Sequence, residues 1–199
     1  MEQYDLNAMR DRFIQICQRQ IKRSGIVELL RYMDLETDFF TAPASTKYHG
    51  NYRGGLLEHS LNVYDALKKL NSLFPDLNIS EESIAICALF HDLCKANYYT
   101  ESTRNVKDDA TGKWSKVPYY TTDDQFPIGH GEKSVILLMK YIKLNDDEIY
   151  AIRWHMGGFD SATKGGDYGE SKAYENCPLA VMLHLADMMA SYLMESRST

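Results

Sequence analysis

Residues 84–90, Ile-Ala-Ile-Cys-Ala-Leu-Phe, are apolar on every side of any helix they form, and they run directly into His91-Asp92. A helix that is apolar all round belongs in a core. Ser80-Glu81-Glu82-Ser83 supplies its start, with Ser80 as N-cap and acids in the first turn. The chain therefore brings an imidazole and a carboxylate to the end of an oily helix. Left unpartnered in an apolar interior, such a group costs roughly 2–7 kcal/mol.

The problem recurs along the chain. Asp187 sits in Leu-Ala-Val-Met-Leu-His-Leu-Ala-Asp-Met-Met, with Leu183 and Ala190 on its own helical face. It needs a cation, an arginine or several N–H groups, and capping of a neighbouring helix is the plainer solution. His59 follows Gly-Gly-Leu-Leu-Glu, His130 lies in Gly-His-Gly-Glu, and His155 lies in Arg-Trp-His-Met-Gly. One shared metal centre satisfies His59, His91, Asp92, His130, His155 and Asp187 more cheaply than separate hydrogen-bonding solutions. Mixed imidazole and carboxylate donors suit Mn²⁺, Fe²⁺, Co²⁺, Ni²⁺ or Zn²⁺. His59, His91, Asp92 and Asp187 make one site, and His130 with His155 makes room for a second ion bridged by Asp92. A two-metal site clamps the attacking and leaving oxygens of a phosphoryl displacement.

This ordered set resembles the HD superfamily of metal-dependent phosphohydrolases, over about residues 45–195. The run Tyr48-His49-Gly50-Asn51-Tyr52-Arg53-Gly54-Gly55-Leu56-Leu57-Glu58-His59 is most similar to the HD domain of bacterial 3′–5′ exoribonucleases. Those enzymes carry an oligonucleotide-binding domain ahead of the HD domain, for which residues 1–45 leave no room. The resemblance implies an all-α HD-domain bundle and a divalent metal cofactor, two ions in number. It also implies hydrolysis of a phosphate ester, in a nucleotide or short oligonucleotide, by metal-activated water. The same six ligands hold two irons in some HD-fold oxygenases, and HD domains that lose ligands serve as binding modules. Lys95 and the run around His59 favour hydrolysis.

Asp92 and Lys95 are the expected catalytic residues. Lys95 lies four positions after His91, on one helical face, and can hold a phosphate oxygen; the plainer role is a surface lysine past a helix end. Arg53 and His49 precede the His59 helix and can bind phosphate near its N-terminus, or simply pack in the loop. His184 is a neighbouring histidine rather than a ligand, and Glu58 points about 100° away from His59 round the helix.

A net charge of −6 argues against an extended nucleic-acid footprint, which needs clustered Lys and Arg. It is compatible with a small phosphorylated substrate, since bound metal brings positive charge. Cys17, Cys87, Cys94 and Cys177 show no CxxC spacing, and Cys87 and Cys94 read as small hydrophobes. A reducing cytoplasm follows, with no signal-peptide core and no apolar run of the ~20 residues a membrane helix needs.

The length suits a single domain over residues 1–199. N-terminal helices are expected within residues 1–45, at 6–23 and 26–33, then a loop over 37–54. A helix over 56–73 carries His59. Residues 97–127 form an insertion: Tyr- and Thr-rich stretches at 97–100 and 116–121 flank the turn sequence 108–113, predicting a β-hairpin. Its Tyr98, Tyr99, Tyr119, Tyr120 and Trp114 interleave with basic residues and either pack on the bundle or form a flap. Helices follow over 131–143, from Asp146 towards His155, and over 178–194, with Gly-rich residues 157–169 as a loop.

Overall fold

The computed structural model describes residues 5–195. Two helices open the chain, α1 (Leu6–Gln20) and α2 (Ile26–Leu35). Asp5 caps α1 by accepting from the N–H groups of Asn7 and Ala8 at 3.1 and 3.0 Å. Then come α3 (Gly55–Leu73), α4 (Glu81–Phe90), the strands β1 (Tyr99–Lys107) and β2 (Trp114–Thr122), α5 (His130–Met139) and α6 (Asp146–Trp154). The chain closes with α7 (Ser161–Lys164), α8 (Gly169–Asn176) and α9 (Pro178–Met189), followed by a π-turn, Ala190–Met194. The fold is mostly helical, with one small antiparallel hairpin, in keeping with the expected bundle.

The core is built round α4. Every residue from Ser83 to Phe90 is buried, and α4 packs against α1, α3 and α6. Ser80 Oγ accepts the Ser83 N–H at 3.0 Å, as its N-cap position predicts. Phe13 of α1 meets Phe90 edge-on with ring centroids 5.6 Å apart. α9 packs against both α3 and α6, so the helices carrying His59, His155 and Asp187 share neighbours.

One buried ion pair ties the N-terminal helices to this frame. Arg23, between α1 and α2, grips Glu148 through Nη1 and Nη2 at 2.5 and 2.7 Å. Glu148 is fully buried. It also accepts from Ser83 Oγ at 2.8 Å and from the Asn145 N–H at 2.9 Å, the second half of a capping box that starts α6.

Close backbone approach explains two glycines. At Gly55 an added Cβ would lie 2.0 Å from Gly50 O, so only glycine lets the preceding loop fold tightly onto the start of α3. At Gly131 it would lie 2.2 Å from Arg153 O, which sets the α5–α6 separation.

The elements depart from expectation in four places. The hairpin strands run longer than the Tyr-rich stretches, pairing Tyr99 with Thr122 through to Lys107 with Trp114. Helix α5 stops at Met139 although Ile142 and Leu144 beyond it remain buried. The last α-helix ends at Met189 and widens into the π-turn rather than continuing as α-helix to Met194. Residues 157–169 are not a plain loop. Asp160 caps α7 by accepting the Ala162 N–H at 2.8 Å, and Asp167 accepts the Gly169 N–H at 2.7 Å at the start of α8. Among the described residues, no single helix is long and apolar enough to cross a membrane.

Candidate metal centre

Five segments converge where α4 ends. His59 comes from the second turn of α3, His91 and Asp92 from the residues after α4, His130 from the first position of α5, His155 from just past α6, and Asp187 from α9. His91, Asp92 and His155 are buried to 2% exposure or less. Each of the six lies beside Asp92 or His59.

Asp92 is the hub. Its Oδ1 lies 2.7 Å from His130 Nε2 and 3.5 Å from His155 Nε2. Its Oδ2 lies 3.4 Å from His91 Nε2, 3.6 Å from His59 Nε2 and 2.7 Å from Lys95 Nζ. His59 Nε2 also faces Asp187 Oδ1 and His91 Nε2, each at 3.2 Å. Burial works against charge on Asp92, yet Lys95 and the surrounding imidazoles hold its pKa well below the usual carboxylate range. Asp187 is likewise held low, with His59 outweighing its burial.

Backbone carbonyls fix which ring nitrogens face inward. His91 Nδ1 donates to Ala88 O at 2.9 Å, and His155 Nδ1 donates to Ile152 O at 2.7 Å. Each Nε2 therefore points its lone pair at the cluster, the arrangement that outer partners impose on metal-binding histidines. His155 Nε2 is the test case. It is buried and has no hydrogen-bond partner, because the Asp92 oxygen 3.5 Å away is also an acceptor. Burial holds the ring neutral, with its pKa lowered to about 4 despite Asp92. A buried neutral imidazole facing a carboxylate is what a divalent cation would satisfy, so the donor set fits a metal. Donor atoms of His59, His91 and Asp187 lie within 4.8 Å of one another, as do those of His91, Asp92 and His155.

Lys95 reaches Asp92 by a different route from the one its spacing suggests. The α-helix ends at Phe90, and Lys95 closes a 3₁₀ turn, Leu93–Lys95. Opposed by burial but favoured by Asp92, its ammonium is stabilised, with the pKa raised. It borders two clefts. The larger, about 500 Å³, is also lined by His49, Asp187, Phe159, Lys164 and Tyr192. The smaller, about 220 Å³, is lined by Cys94, Tyr98, His130 and Lys133. Burial leaves His49 neutral, its pKa lowered to about 4 with help from His59 and Lys95. Arg53 lies elsewhere: it lines a separate cleft of about 250 Å³ with Asp38, Tyr99, Glu101 and Tyr120. His184 donates from Nδ1 to His155 O at 2.7 Å, holding the His155 turn without facing Asp92. The hairpin meets the site only at its base, where Lys133 sits 5.3 Å from the Tyr98 ring centre; Trp114 at its tip is exposed.

Two residues at the site carried no sequence signal. Glu195, beyond the π-turn, accepts from His59 Nδ1 at 2.9 Å and from Asn62 Nδ2 at 3.3 Å. Its side chain is 1% exposed. Burial disfavours proton loss from Glu195, but His59 lowers its pKa. Burial also opposes the charged His59 ring, yet Asp187 and Glu195 raise its pKa to about 10. The second residue is Cys94, whose Sγ lies 3.3 Å from His130 Nδ1. The expected small hydrophobe thus touches a candidate ligand.

A helical bundle that gathers histidines and aspartates from five segments round an adjacent His-Asp pair defines a metal-binding class of domain. The chain belongs to the HD domain family, whose model matches residues 56–191. HD domains bind divalent metals and are typical of metal-dependent phosphohydrolases. No curated protein and no solved structure gives a significant match.

Proposed function

We propose that this protein is a metal-dependent phosphohydrolase acting on the phosphate ester of a nucleotide or short oligonucleotide. His59, His91, Asp92 and Asp187 would hold one divalent ion, and Asp92, His130 and His155 a second. When bound, such ions supply Lewis acidity and lower the pKa of water, allowing attack on phosphorus near neutral pH. The supporting observation is Lys95. Its ammonium touches Asp92 and also borders the 500 Å³ cleft, beside Asp187, His49 and Lys164. An anionic group entering that cleft meets Lys95 next to the donor cluster, which is the placement for stabilising charge on a phosphoryl oxygen. His49, held neutral, serves as a hydrogen-bonding partner there.

Tyr192 and Phe159 are both half-exposed at this cleft, and Tyr48 beside them is more open still. They offer faces on which a base can stack. The likeness of residues 48–59 to exoribonuclease HD domains points to the same substrate class. Arg53, in its own cleft, would bind a more distant phosphate. With all four cysteines free and buried, we place the protein in a reducing cytoplasm.

The test is turnover of nucleotides, short oligonucleotides and cyclic dinucleotides with Mn²⁺, Fe²⁺, Co²⁺ or Ni²⁺. Metal-dependent hydrolysis that disappears in Asp92→Ala is expected. Iron-dependent turnover that requires O₂, with no hydrolysis of any phosphate ester, would replace the hydrolase with an oxygenase.

A further inference from the structure

The His130 side of the centre carries a donor that the six-residue set omits. Cys94 is 3% exposed, and its position is held by its own N–H, which donates to Ser134 Oγ on α5 at 3.0 Å. Its Sγ lies 3.3 Å from His130 Nδ1 and 3.6 Å from Nε2. One donor atom each from Asp92, Cys94 and His130 all fall within 4.8 Å of one another. The other three cysteines belong to no such group among the described residues.

A second observation points to a ligand at the same place. His155 Nε2 is buried without a partner and faces Asp92 Oδ1, the oxygen that His130 Nε2 meets at 2.7 Å. Imidazoles from two segments and a thiol thus gather round the Asp92 carboxylate. The 220 Å³ cleft lined by Cys94, His130 and Lys133 gives an entry path from solvent.

We propose that Cys94 is a metal ligand. Its thiolate joins Asp92, His130 and His155 in a four-donor set of mixed nitrogen, oxygen and sulfur type. This deepens the metal-centre reading above and rests on it. Binding releases the thiol proton to solvent, as every thiolate site requires. The consequence is chemical asymmetry. Around His59, the donors are imidazole and carboxylate alone. Around His130, sulfur favours Zn²⁺ or Co²⁺ over Mn²⁺ or Mg²⁺, since thiolates select borderline and soft ions. Four donors of this kind are also the usual number for zinc.

The experiment uses the full chain, stripped with chelator and reloaded with Co²⁺, and reads absorption. A thiolate-to-cobalt charge-transfer band in the near ultraviolet is expected beside the visible cobalt bands. Cys94→Ser should lose the ultraviolet band, keep visible bands from the His59 side and melt normally after chelation. Zn²⁺ affinity on the His130 side should fall by more than the roughly 10–100-fold that loss of an outer partner costs. Cys94→Ala gives the same comparison without a buried hydroxyl. Visible cobalt bands with no ultraviolet band in the wild type would overturn the Cys94 assignment while leaving the metal centre standing, and so would a band that survives both substitutions. No bound cobalt at all would remove the assignment together with the metal reading beneath it.

Discussion

Lys95 Nζ sits 2.7 Å from Asp92 Oδ2, while the other oxygen of the same carboxylate meets His130 Nε2 at the same distance. Both oxygens of Asp92 face imidazoles, but only Oδ2 also meets a fixed ammonium. Ammonium cannot ligate a cation, so Lys95 is free to act on substrate. Lys95→Ala is expected to keep metal content and melting temperature but lower kcat by about 10²–10³, the usual effect of losing one preorganised electrostatic donor. Steady-state kinetics with metal analysis checks this. A change confined to KM would place Lys95 in ground-state binding instead.

Glu195 should act through His59 as a positioning residue. Carboxylate partners of metal-binding histidines typically account for about 10–100-fold in metal affinity. Glu195→Ala is expected to weaken metal binding by that range, measured by calorimetry. Glu195→Gln, which can still accept from His59 Nδ1, should recover part of the loss. Equal loss in both variants would indicate that the charge, rather than the hydrogen bond, is what matters.

Proton and metal compete for the same ring. His59 and His130 both have folded pKa values raised to about 10 from 6.5. A raised value adds stability below pH 6.5 that disappears as pH climbs through 10. Chelated protein should therefore lose stability between pH 6.5 and about 10 on account of these rings, while metal affinity rises over the same window because metal displaces their protons. Stability from denaturant titrations at several pH values should fall with pH in the chelated protein and stay nearly level in protein saturated with Mn²⁺, whose bound rings have no proton to lose. His59→Gln should flatten the slope of the chelated protein.

The buried Arg23–Glu148 pair makes a stability prediction far from the chemistry. Arg23→Met leaves Glu148 charged and fully buried among Ser83 and Asn145, and breaking such a pair costs roughly 3–5 kcal/mol. Urea unfolding measures it directly. The chelated proteins should show the same difference as the metal-loaded ones, because the pair belongs to the N-terminal helices and α6 rather than to the centre.

Gly131→Ala should destabilise by roughly 1–3 kcal/mol, since its Cβ would press on Arg153 O and force α5 away from α6. His130 and His155 lie at the facing ends of those helices. Metal bound through both should weaken more than metal bound through His59, a difference visible in a two-site binding isotherm.

The helices that carry the site were legible because their polar residues violate the apolar pattern around them. Asp187 inside a run of leucines and methionines, or His91-Asp92 after seven apolar residues, announces an unmet need. Glu195 announces nothing, since a glutamate after Tyr-Leu-Met near the end of a chain reads as solvated. Its burial depends on the π-turn, which sequence periodicity does not reveal. Cys94 was hidden for the opposite reason: a thiol suits an apolar neighbourhood, so no conflict drew notice. Residues 157–169 read as a loop by glycine content, yet Asp160 caps α7, Asp167 accepts the first N–H of α8, and α8 buries one alanine, Ala173. Four- and eight-residue helices bury too little to leave a periodic trace.

The hydrogen bond between His59 and Glu195 joins positions 136 residues apart, and every other member of the centre lies on the chain between them. It is a clasp on one long loop. Loop-closure cost grows only slowly with length, so fastening so distant a pair is little harder than fastening a nearer one. Its hold depends on the π-turn, Ala190–Met194, that brings Glu195 back to His59. Opening of the last turn would free His59 from one side while Asp92 and its neighbours stay packed, giving ions a way in and out of the His59 side that does not require the bundle to unfold.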